Sequence, residues 1–240
     1  MLAIIGGSGF YYLGKELDKI PVITPYGNVE VTKAKLHSKD EVLFIPRHGE
    51  AHIIPPHKVN YRANIDALNK LDASAVFATY ASGIISNYKP SDLVLLEDFI
   101  GFNAPITFFD DFSDGLKHMD FTEPFDKNLG NAVLEIANAL KIKIKKGGII
   151  VTMPGPRFET KAEIKALKRM GANLVSMTHA YEATLLHELE IPYAAIAVAT
   201  NYACGISKKR LSLEEVIEQM DKAKTKINLI INGLVDYVRE

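Results

Sequence analysis

Several polar segments of this sequence stand directly after apolar runs, and their residue types suit the binding of an oxyanion. Ser8 lies in a glycine-rich turn, Arg47 and His48 are adjacent, and Thr178 follows the run ANLVSM. Glycine lets backbone amides approach an anion closely, and arginine offers a planar fork of donors. Ligands of open α/β sheets bind beyond the carboxyl ends of the strands. If these segments converge, the expected ligand is orthophosphate.

The glycine-rich turn Gly6-Gly7-Ser8-Gly9 fits neither of the common phosphate-binding motifs. Tyr12 stands where a dinucleotide fingerprint has its third glycine, and no Gly-Lys-Ser/Thr follows as in a Walker A loop. Taken alone, a tight structural turn explains these glycines equally well. Arg47 alone could likewise be an ordinary surface charge at a strand end.

The segment RHGEAHIIPPH (47–57) raises the question of a metal site, because it holds three histidines and a glutamate. His48 and His52 are four residues apart, a spacing used by zinc-binding helices. Gly49 and the pair Pro55-Pro56 argue against a helix, and no HExxH order is present. We therefore expect an ordered loop over a site, and no metal.

The segment MPGPRFETKAE (153–163) carries an aromatic residue and an acid that a structural turn does not require. Phe158 could stack on a planar ring, and Glu159 could accept a hydrogen bond from that ring. The alternatives are an ordinary core aromatic for Phe158 and a charge at a helix N-terminus for Glu159.

The elements that would position these residues alternate between strand and helix. Gly171 suits the end of a helix, Ser212 and Glu215 have the spacing of a capping box, and the charged segment KIKIKK (141–146) is expected to form a solvated edge. Fully apolar strands such as IIVTM indicate a sheet covered by helices on both faces. The predicted strands are 2–5, 21–24, 29–36, 41–47, 74–80, 92–99, 147–153, 172–177 and 192–201, and the predicted helices are 60–71, 127–141, 160–171, one from about 180, and 212–238.

Length, composition and charge limit the class of protein. A chain of 240 residues favours one α/β domain, residues 1–240, over two small ones, and a net charge of −1 without a basic tract gives no sign of a nucleic-acid partner. No apolar stretch approaches the roughly 20 residues of a membrane span, and the N-terminus lacks the features of a signal peptide. One cysteine, Cys204, excludes an internal disulfide and fits the reducing cytoplasm.

Four segments taken together resemble the trimeric purine nucleoside phosphorylase and methylthioadenosine phosphorylase family. The similarity extends from residue 4 to about residue 216, in the family's order and at similar spacing, and is carried by IGGSGF, PRHGEAHIIPPHKVNYRANI, GPRFETKAE and MTHAYEATLLHELEIPYAAIAVATNYACG. The resemblance implies a three-layer α/β/α sandwich around a mixed, partly barrel-like central sheet, assembled as a homotrimer or a dimer of trimers. It implies phosphorolysis, in which a nucleoside and phosphate give a free purine and ribose 1-phosphate, without a metal or cofactor.

The resemblance also assigns roles to individual residues. Phosphate attacks C1′ while the ribose becomes oxocarbenium-like and electrons move into the purine, so the site must position an anion and stabilise a leaving group. Tyr80 departs from the small polar residue typical of the family, so at Tyr80 and Ala81 a contact of the backbone is expected. The implied set is Ser8, Arg47, His48, Tyr80, Ala81 and Thr178 for phosphate, Met177 for ribose, and Phe158, Glu159, Asn201 and Ala203 for the base, with Arg47, His48 and Asn201 as the catalytic residues.

Glu159 and Asn201 indicate which purine the site accepts. A 6-oxopurine presents an N1–H donor and an O6 acceptor, whereas adenine inverts both groups. An ionised Glu159 can only accept, so it matches N1–H, while Asn201 can accept from a protonated N7 and donate to O6. Family members that take 6-aminopurines typically carry TDYD where this chain has TNYA, and they typically lack the acid after the phenylalanine. The expected substrates are therefore inosine, guanosine or 5′-methylthioinosine, in purine salvage.

Two further residues bear on the 5′ group of the substrate. Nucleoside-preferring relatives place a histidine near the start of the last helix, methylthio-preferring relatives place an aliphatic residue there, and spacing puts Leu213 at that point. His118 matches a residue that reaches the 5′ pocket of a neighbouring subunit. Leu213 could also be a plain core leucine. Two other functions stay open, namely a 5′-methylthioadenosine phosphorylase and a non-catalytic nucleoside- or phosphate-binding protein on the same fold.

Overall fold

Nine strands and five α-helices are present in the part of the chain that the structure describes, a computed structural model covering residues 1–36, 40–102, 106–113 and 115–239. Every predicted strand and helix is found, and the largest shift is at the second strand, which begins at Lys15 rather than at Pro21. The strands are β1 (Leu2–Gly6), β2 (Lys15–Thr24), β3 (Gly27–Lys35), β4 (Glu41–Pro46), β5 (Ala75–Ile84), β6 (Leu93–Gly101), β7 (Ile144–Thr152), β8 (Leu174–Ser176) and β9 (Tyr193–Tyr202). The helices are α1 (Tyr61–Lys70), α2 (Lys127–Ala139), α3 (Lys161–Arg169), α4 (His179–Glu188) and α5 (Leu213–Arg239), and a 3₁₀ helix covers Pro56–Lys58.

The strands form a mixed sheet, and one half of it closes on itself. The strand order is β2-β3-β4-β1-β5-β8-β7-β6-β9, and β9 also pairs with β5. β1 is parallel to β4 and β5, and β9 is parallel to β5, whereas β6 and β9 are antiparallel. The closure of β5, β8, β7, β6 and β9 makes this half a barrel, so the expected mixed, partly barrel-like sheet is confirmed.

Helices cover both sides of the sheet, as the continuous apolar strands predict. On one side, α1 and α4 bury side chains such as Ile65 and Leu186 against the strands. On the other side, α2 and α5 bury side chains such as Val133 and Ile227. Burying an aliphatic side chain of this size contributes about 1.5–3 kcal/mol, so these two cores hold the three layers together.

The helix ends follow the predicted signals closely. Thr160 caps α3 in a complete capping box with Glu163, and Gly171, two residues beyond the helix, has a φ of 95°, a conformation that favours glycine. At α5 one half of the predicted box is present, because Ser212 Oγ accepts from the backbone N–H of Glu215 at 3.3 Å. The Glu215 carboxylate itself lies 3.0 Å from Lys209 Nζ. None of the helices in the described ranges is long and apolar enough to cross a membrane.

The prediction of a solvated edge at KIKIKK is confirmed for the exposure of Lys141, Lys143 and Lys146, but the end of the segment also belongs to a strand. Residues 144–146 begin β7, where Ile144 pairs with Leu93 of β6. β8 pairs only with Ile150–Thr152 of β7, so among the described residues the segment 144–146 has a strand partner on one side alone. Alternating charge describes only the side chains, and here the backbone pairs while the lysines stay partly exposed.

The prediction that β5 ends at Tyr80 is also wrong, and the difference affects the site. β5 continues to Ile84, and Gly83 pairs with Val175 of β8 on one side and Asn201 of β9 on the other. Because β8 and β9 both pair with β5, the strand continues through the small residues 81–83. Asn201 is therefore held inside a paired strand.

Candidate functional site

A cavity of about 480 Å³ lies where these strand ends and loops meet. Segment 52–56 also lines it, as expected for an ordered loop over a site, and Leu211 lines it without having been predicted. His118 does not line it. The predicted residues that line it are Ser8, Arg47, His48, Tyr80, Ala81, Phe158, Glu159, Met177, Thr178, Asn201, Ala203 and Leu213.

The glycine-rich turn after β1 brings the backbone close to Arg47. The Arg47 amide donates to the carbonyl oxygen of Gly6 at 2.9 Å. A Cβ atom on Gly7 would lie 2.5 Å from Nη1 of Arg47, so only glycine fits there without displacing the guanidinium. Ser8 follows at the cavity wall.

Arg47 is held by a carboxylate that sequence reasoning missed. Its Nε and Nη2 both donate to Glu182 of α4, with Nη2 2.7 Å from Oε2, and its Nη1 donates to the carbonyl oxygen of Thr79 at 3.2 Å. Both side chains are buried. Burial by itself lowers the pKa of Arg47, but the charge of Glu182 more than reverses this, so the pKa is raised and the arginine stays cationic.

Tyr80 belongs to the same buried network. Its ring lies 4.4 Å from the guanidinium carbon of Arg47, and its hydroxyl donates to Glu182 and lies 2.6 Å from the hydroxyl of Tyr193. Burial, and next the charge of Glu182, raise the pKa of Tyr80. The Tyr80 hydroxyl is thus occupied by partners within the protein.

His48 lies in the loop that follows β4, and its ring faces a carbonyl. Nδ1 is 2.8 Å from the backbone oxygen of Ile54. Burial, and next the charge of Arg47, lower the pKa of His48 to about 4, so the ring is neutral at pH 7. The ring of His52 lies 4.6 Å away, centroid to centroid. Within the described ranges no group of three His, Cys, Asp or Glu residues could hold a metal ion.

Thr178 and Met177 come from the short segment between β8 and α4. Thr178 is buried at the N-cap position of α4, and its hydroxyl makes no capping bond. Gly155 of the segment 153–163 packs so closely on Met177 that a Cβ there would lie 2.6 Å from the sulfur. Helix α4 therefore presents Thr178 at its positive N-terminal end, where an anion is favoured.

Glu159 and Asn201 are both buried at another wall of the cavity. Burial raises the pKa of Glu159. Asn201 Oδ1 accepts from Thr200 Oγ1 at 2.7 Å, and its Nδ2 donates to the carbonyl oxygen of Tyr202 at 3.3 Å. The neighbouring Arg157 is not part of the wall, since it binds Glu163 outside it.

The mouth of the cavity, defined as Phe158, Leu213 and Ile53, is apolar and exposed to solvent. Phe158 is 41% exposed, Leu213 57% and Ile53 78%. Leu213 is therefore not a core leucine. His118 is exposed, and its ring contacts Phe112 edge-on at 5.6 Å between centroids.

Comparison with known proteins identifies both a family and relatives. Residues 1–236 match the family described as the Phosphorylase superfamily. A probable 6-oxopurine nucleoside phosphorylase of Moorella thermoacetica is 43% identical over 245 residues, covering 100% of this chain and 94% of that protein. The 6-oxopurine nucleoside phosphorylase of Pyrococcus furiosus is 41% identical, covering 99% and 92%.

Two further relatives differ in their named substrates. A probable S-methyl-5′-thioinosine phosphorylase of Methanopyrus kandleri is 39% identical, covering 99% of this chain and 92% of that protein. The structure of methylthioadenosine phosphorylase from Schistosoma mansoni in complex with adenine superposes with a TM-score of 0.90, at 31% identity, covering 99% and 91%.

Proposed function

Because the chain belongs to the phosphorylase superfamily, we propose that it catalyses the phosphorolysis of 6-oxopurine nucleosides in purine salvage. Its expected class, a nucleoside phosphorylase enzyme, is confirmed by the family match and the full-length relatives. The proposed products are a free purine and ribose 1-phosphate or its 5-methylthio derivative. The observation that carries the proposal is one cavity in which a donor-rich end and the pair Glu159 and Asn201 face the same space.

The anion end of the cavity, defined as Ser8, Arg47, His48 and Thr178, is the proposed phosphate site. Arg47 supplies guanidinium N–H donors, Ser8 and Thr178 supply hydroxyls, and the N-terminus of α4 supplies partial positive charge. A phosphate held there is positioned for attack on C1′ of a ribose that rests on Met177. Positioning of this kind supplies a large part of the catalysis of a bimolecular reaction.

Glu159 and Asn201 form the proposed base site, with Ala203 beside them and Phe158 as the stacking residue. An ionised Glu159 accepts from N1–H of hypoxanthine or guanine. For Asn201 to donate to O6 and accept from N7, its amide exchanges its present bonds to Thr200 and Tyr202 for bonds to the purine. The charge that reaches the purine as the glycosidic bond breaks is then stabilised by Asn201.

The relatives support this class of substrate, and one of them also supports a second candidate activity. Two of the similar proteins are named for 6-oxopurine nucleosides and one for S-methyl-5′-thioinosine, and all contribute to the proposal for this chain. The structural neighbour from Schistosoma is a methylthioadenosine phosphorylase, which favours that activity as the alternative. The exposed apolar Leu213 at the mouth suits a 5′-methylthio group in either case.

We further propose a homotrimer or a dimer of trimers that acts in the cytoplasm without a metal or cofactor. His118 lies outside the cavity of its own subunit, and the nearby apolar residues Phe112 and Leu116 are 46% and 78% exposed. These features support a role for this segment in a subunit contact. Sedimentation at assay concentrations should show at least a trimer, and a fully active monomer would contradict this.

The test of the proposed reaction is its dependence on phosphate. Purine release from inosine or 5′-methylthioinosine should require added phosphate, and Arg47→Ala should chiefly raise the phosphate KM and lower turnover. Release at an undiminished rate without phosphate would indicate a hydrolase. Binding of nucleoside without any turnover would indicate a non-catalytic binding protein.

A further inference from the structure

Part of the Arg47 guanidinium is left for a ligand. A guanidinium carries five N–H groups, and three of those in Arg47 donate to the protein, two of them to Glu182 and one to the carbonyl oxygen of Thr79. The other two, one on Nη1 and one on Nη2, have no partner among the described residues. These two can reach an anion only if the plane of the guanidinium is turned toward the cavity.

The Glu182 carboxylate fixes that plane, and it is itself held by a further side chain. Nε and Nη2 of Arg47 donate to its two oxygens. Two parallel hydrogen bonds between a guanidinium and a carboxylate keep both groups close to one plane. Among the residues that the structure describes, the only other donor to Glu182 is the hydroxyl of Tyr80.

Two tyrosine hydroxyls form a chain that leads away from Glu182, and its direction is fixed. A carboxylate that is ionised can only accept, so the Tyr80 hydroxyl gives its single hydrogen to Glu182. The Tyr193 hydroxyl lies 2.6 Å from that of Tyr80 and is therefore the donor of that pair. Burial raises the pKa of both tyrosines, so each hydroxyl keeps its hydrogen. The hydrogen bonds thus run from Tyr193 through Tyr80 to Glu182.

The far end of this chain is anchored in the barrel, away from the cavity. Tyr193 is the first residue of β9, is buried, and does not line the cavity. The ring of Phe125 stacks on it, with 5.4 Å between the centroids. Because a paired strand and a stacked ring both hold Tyr193, it is a fixed point from which the orientation of Arg47 can be set.

We infer that Tyr193 and Tyr80 are positioning residues of the proposed phosphate site, because they hold Glu182 and thereby turn the two remaining N–H groups of Arg47 toward phosphate. This rests on the proposed function. Both hydroxyls are bonded within the protein, so each acts through the next group of the chain and not on the anion itself. Without either hydroxyl, the carboxylate can rotate and the guanidinium bonded to it rotates as well. Phosphate is then held less well, whereas the walls of the cavity proposed for ribose and base keep their structure.

Removal of one hydroxyl at a time tests the inference. Tyr80→Phe keeps the ring beside Arg47 and removes the bond to Glu182, so the KM for phosphate should rise by about 5-fold or more. The KM for inosine or 5′-methylthioinosine should change by less than about 2-fold, since the groups proposed for the nucleoside are untouched. Tyr193→Phe should raise the KM for phosphate by about 3-fold. An unchanged phosphate KM in Tyr80→Phe, or an equal rise of both KM values, would overturn the inference.

The matched control is a buried tyrosine away from the cavity. The hydroxyl of Tyr88 donates to the carbonyl oxygen of Lys146, and Tyr88 does not line the cavity. Tyr88→Phe should therefore leave both KM values unchanged. A rise of the phosphate KM in this variant equal to that in Tyr80→Phe would overturn the inference, because it would show that the loss of any buried hydroxyl has the same effect.

The double variant with Tyr80→Phe and Tyr193→Phe shows whether the two hydroxyls act as one chain. If Tyr193 acts through Tyr80, the second substitution adds nothing, so the phosphate KM should match that of Tyr80→Phe within about 1.5-fold. Effects that multiply, to about 15-fold, would overturn the inference. Calorimetric titration of the intact variants with phosphate should give dissociation constants in the same order without turnover. Failure of the proposed function is seen separately, as purine release by the wild type that does not need phosphate.

Discussion

The anion end and the mouth of the cavity are built in opposite ways. At the anion end, Arg47 is 2% exposed and His48 6%, and each bonds to a group of the protein. At the mouth, Leu213 is 57% exposed and Ile53 78%. In the proposed function, the groups that hold the reacting anion gain from being fixed by their neighbours. The mouth would face the variable 5′ part of the substrate, and exposed side chains there can change with little effect on stability.

The same contrast appears between two ion pairs of identical chemistry. Arg47 with Glu182 and Arg157 with Glu163 each consist of an arginine that donates two hydrogen bonds to one carboxylate. The side chains of the first pair are 1% and 2% exposed, and those of the second are 61% and 30%. Solvent weakens the second pair, whereas removal of one partner from the first leaves a buried charge uncompensated.

The largest expected effect is that of Glu182→Gln. The change leaves the buried Arg47 without a counter-charge, so we expect a loss of about 3–5 kcal/mol in the free energy of unfolding. The matched control is Glu163→Gln, which should cost less than about 1 kcal/mol. Urea unfolding at pH 7.5 measures both. Equal losses in the two variants would mean that burial of the Arg47 pair has no energetic consequence.

His179, directly behind the anion end, should produce an effect of intermediate size. It is fully buried among aromatic rings such as Tyr80 and Phe99, and neither ring nitrogen has a partner in the part of the chain that the structure describes. Burial, and next the charge of Arg47, lower its pKa to about 3. Between pH 6.5 and 3, His179 therefore stays neutral in the folded protein. In the unfolded chain the same histidine has the usual pKa near 6.5 and takes up a proton in this range.

His179 therefore does not lower the free energy of unfolding above pH 6.5. As the pH falls from 6.5 toward 3, the free energy of unfolding decreases, because only the unfolded chain binds the proton. Between pH 7.5 and 5, His179 accounts for a loss of about 2 kcal/mol. In His179→Leu this loss should disappear, while the free energy of unfolding at pH 7.5 should be equal or higher, because two buried nitrogens without a partner among the described residues are removed. Unfolding free energies of wild type and variant at pH 7.5 and 5 measure the difference. Parallel losses in the two proteins would show that His179 does not titrate as inferred.

The smallest expected effect is at the mouth. Leu213→His should change the free energy of unfolding by no more than about 0.5 kcal/mol, because the side chain is exposed. The imidazole gives a 5′-hydroxyl a partner and removes an apolar contact from a methylthio group. The ratio of kcat/KM for inosine to that for 5′-methylthioinosine should rise by roughly 5-fold or more. Leu213→Met is the control and should leave this ratio unchanged. An unchanged ratio in both variants would show that another residue determines specificity for the 5′ group.

The motifs in the sequence predicted many of the residues that line the cavity. They did not predict the carboxylate that holds Arg47 in place. The motifs name residues that we expect to face a common ligand, and twelve of those named line one cavity. Glu182 was missed, although a single acid in the apolar stretch HAYEATLL is a signal of a buried charge. Its partner Arg47 lies 135 residues away, and no local pattern joins positions so distant.

Strand ends were less predictable than strand positions, for a similar reason. The small residues 81–83 resemble a turn when only local propensity is considered. They lie in β5 because β8 and β9 pair with Gly83 from both sides, and this pairing depends on the closure of the barrel. Tertiary pairing overrides local preference in such cases.

The central claim, that Glu159 and Asn201 select 6-oxopurines, is tested most directly by one comparison of substrates. The measurement is kcat/KM of the wild-type enzyme for inosine and 5′-methylthioinosine against that for adenosine and 5′-methylthioadenosine, at pH 7.5 with saturating phosphate. The two mismatched buried bonds that adenine would make predict a preference for each 6-oxopurine compound of at least about 100-fold. Equal or better turnover of the adenosine compounds would contradict this account of Glu159 and Asn201 and would place the chain with the methylthioadenosine phosphorylases.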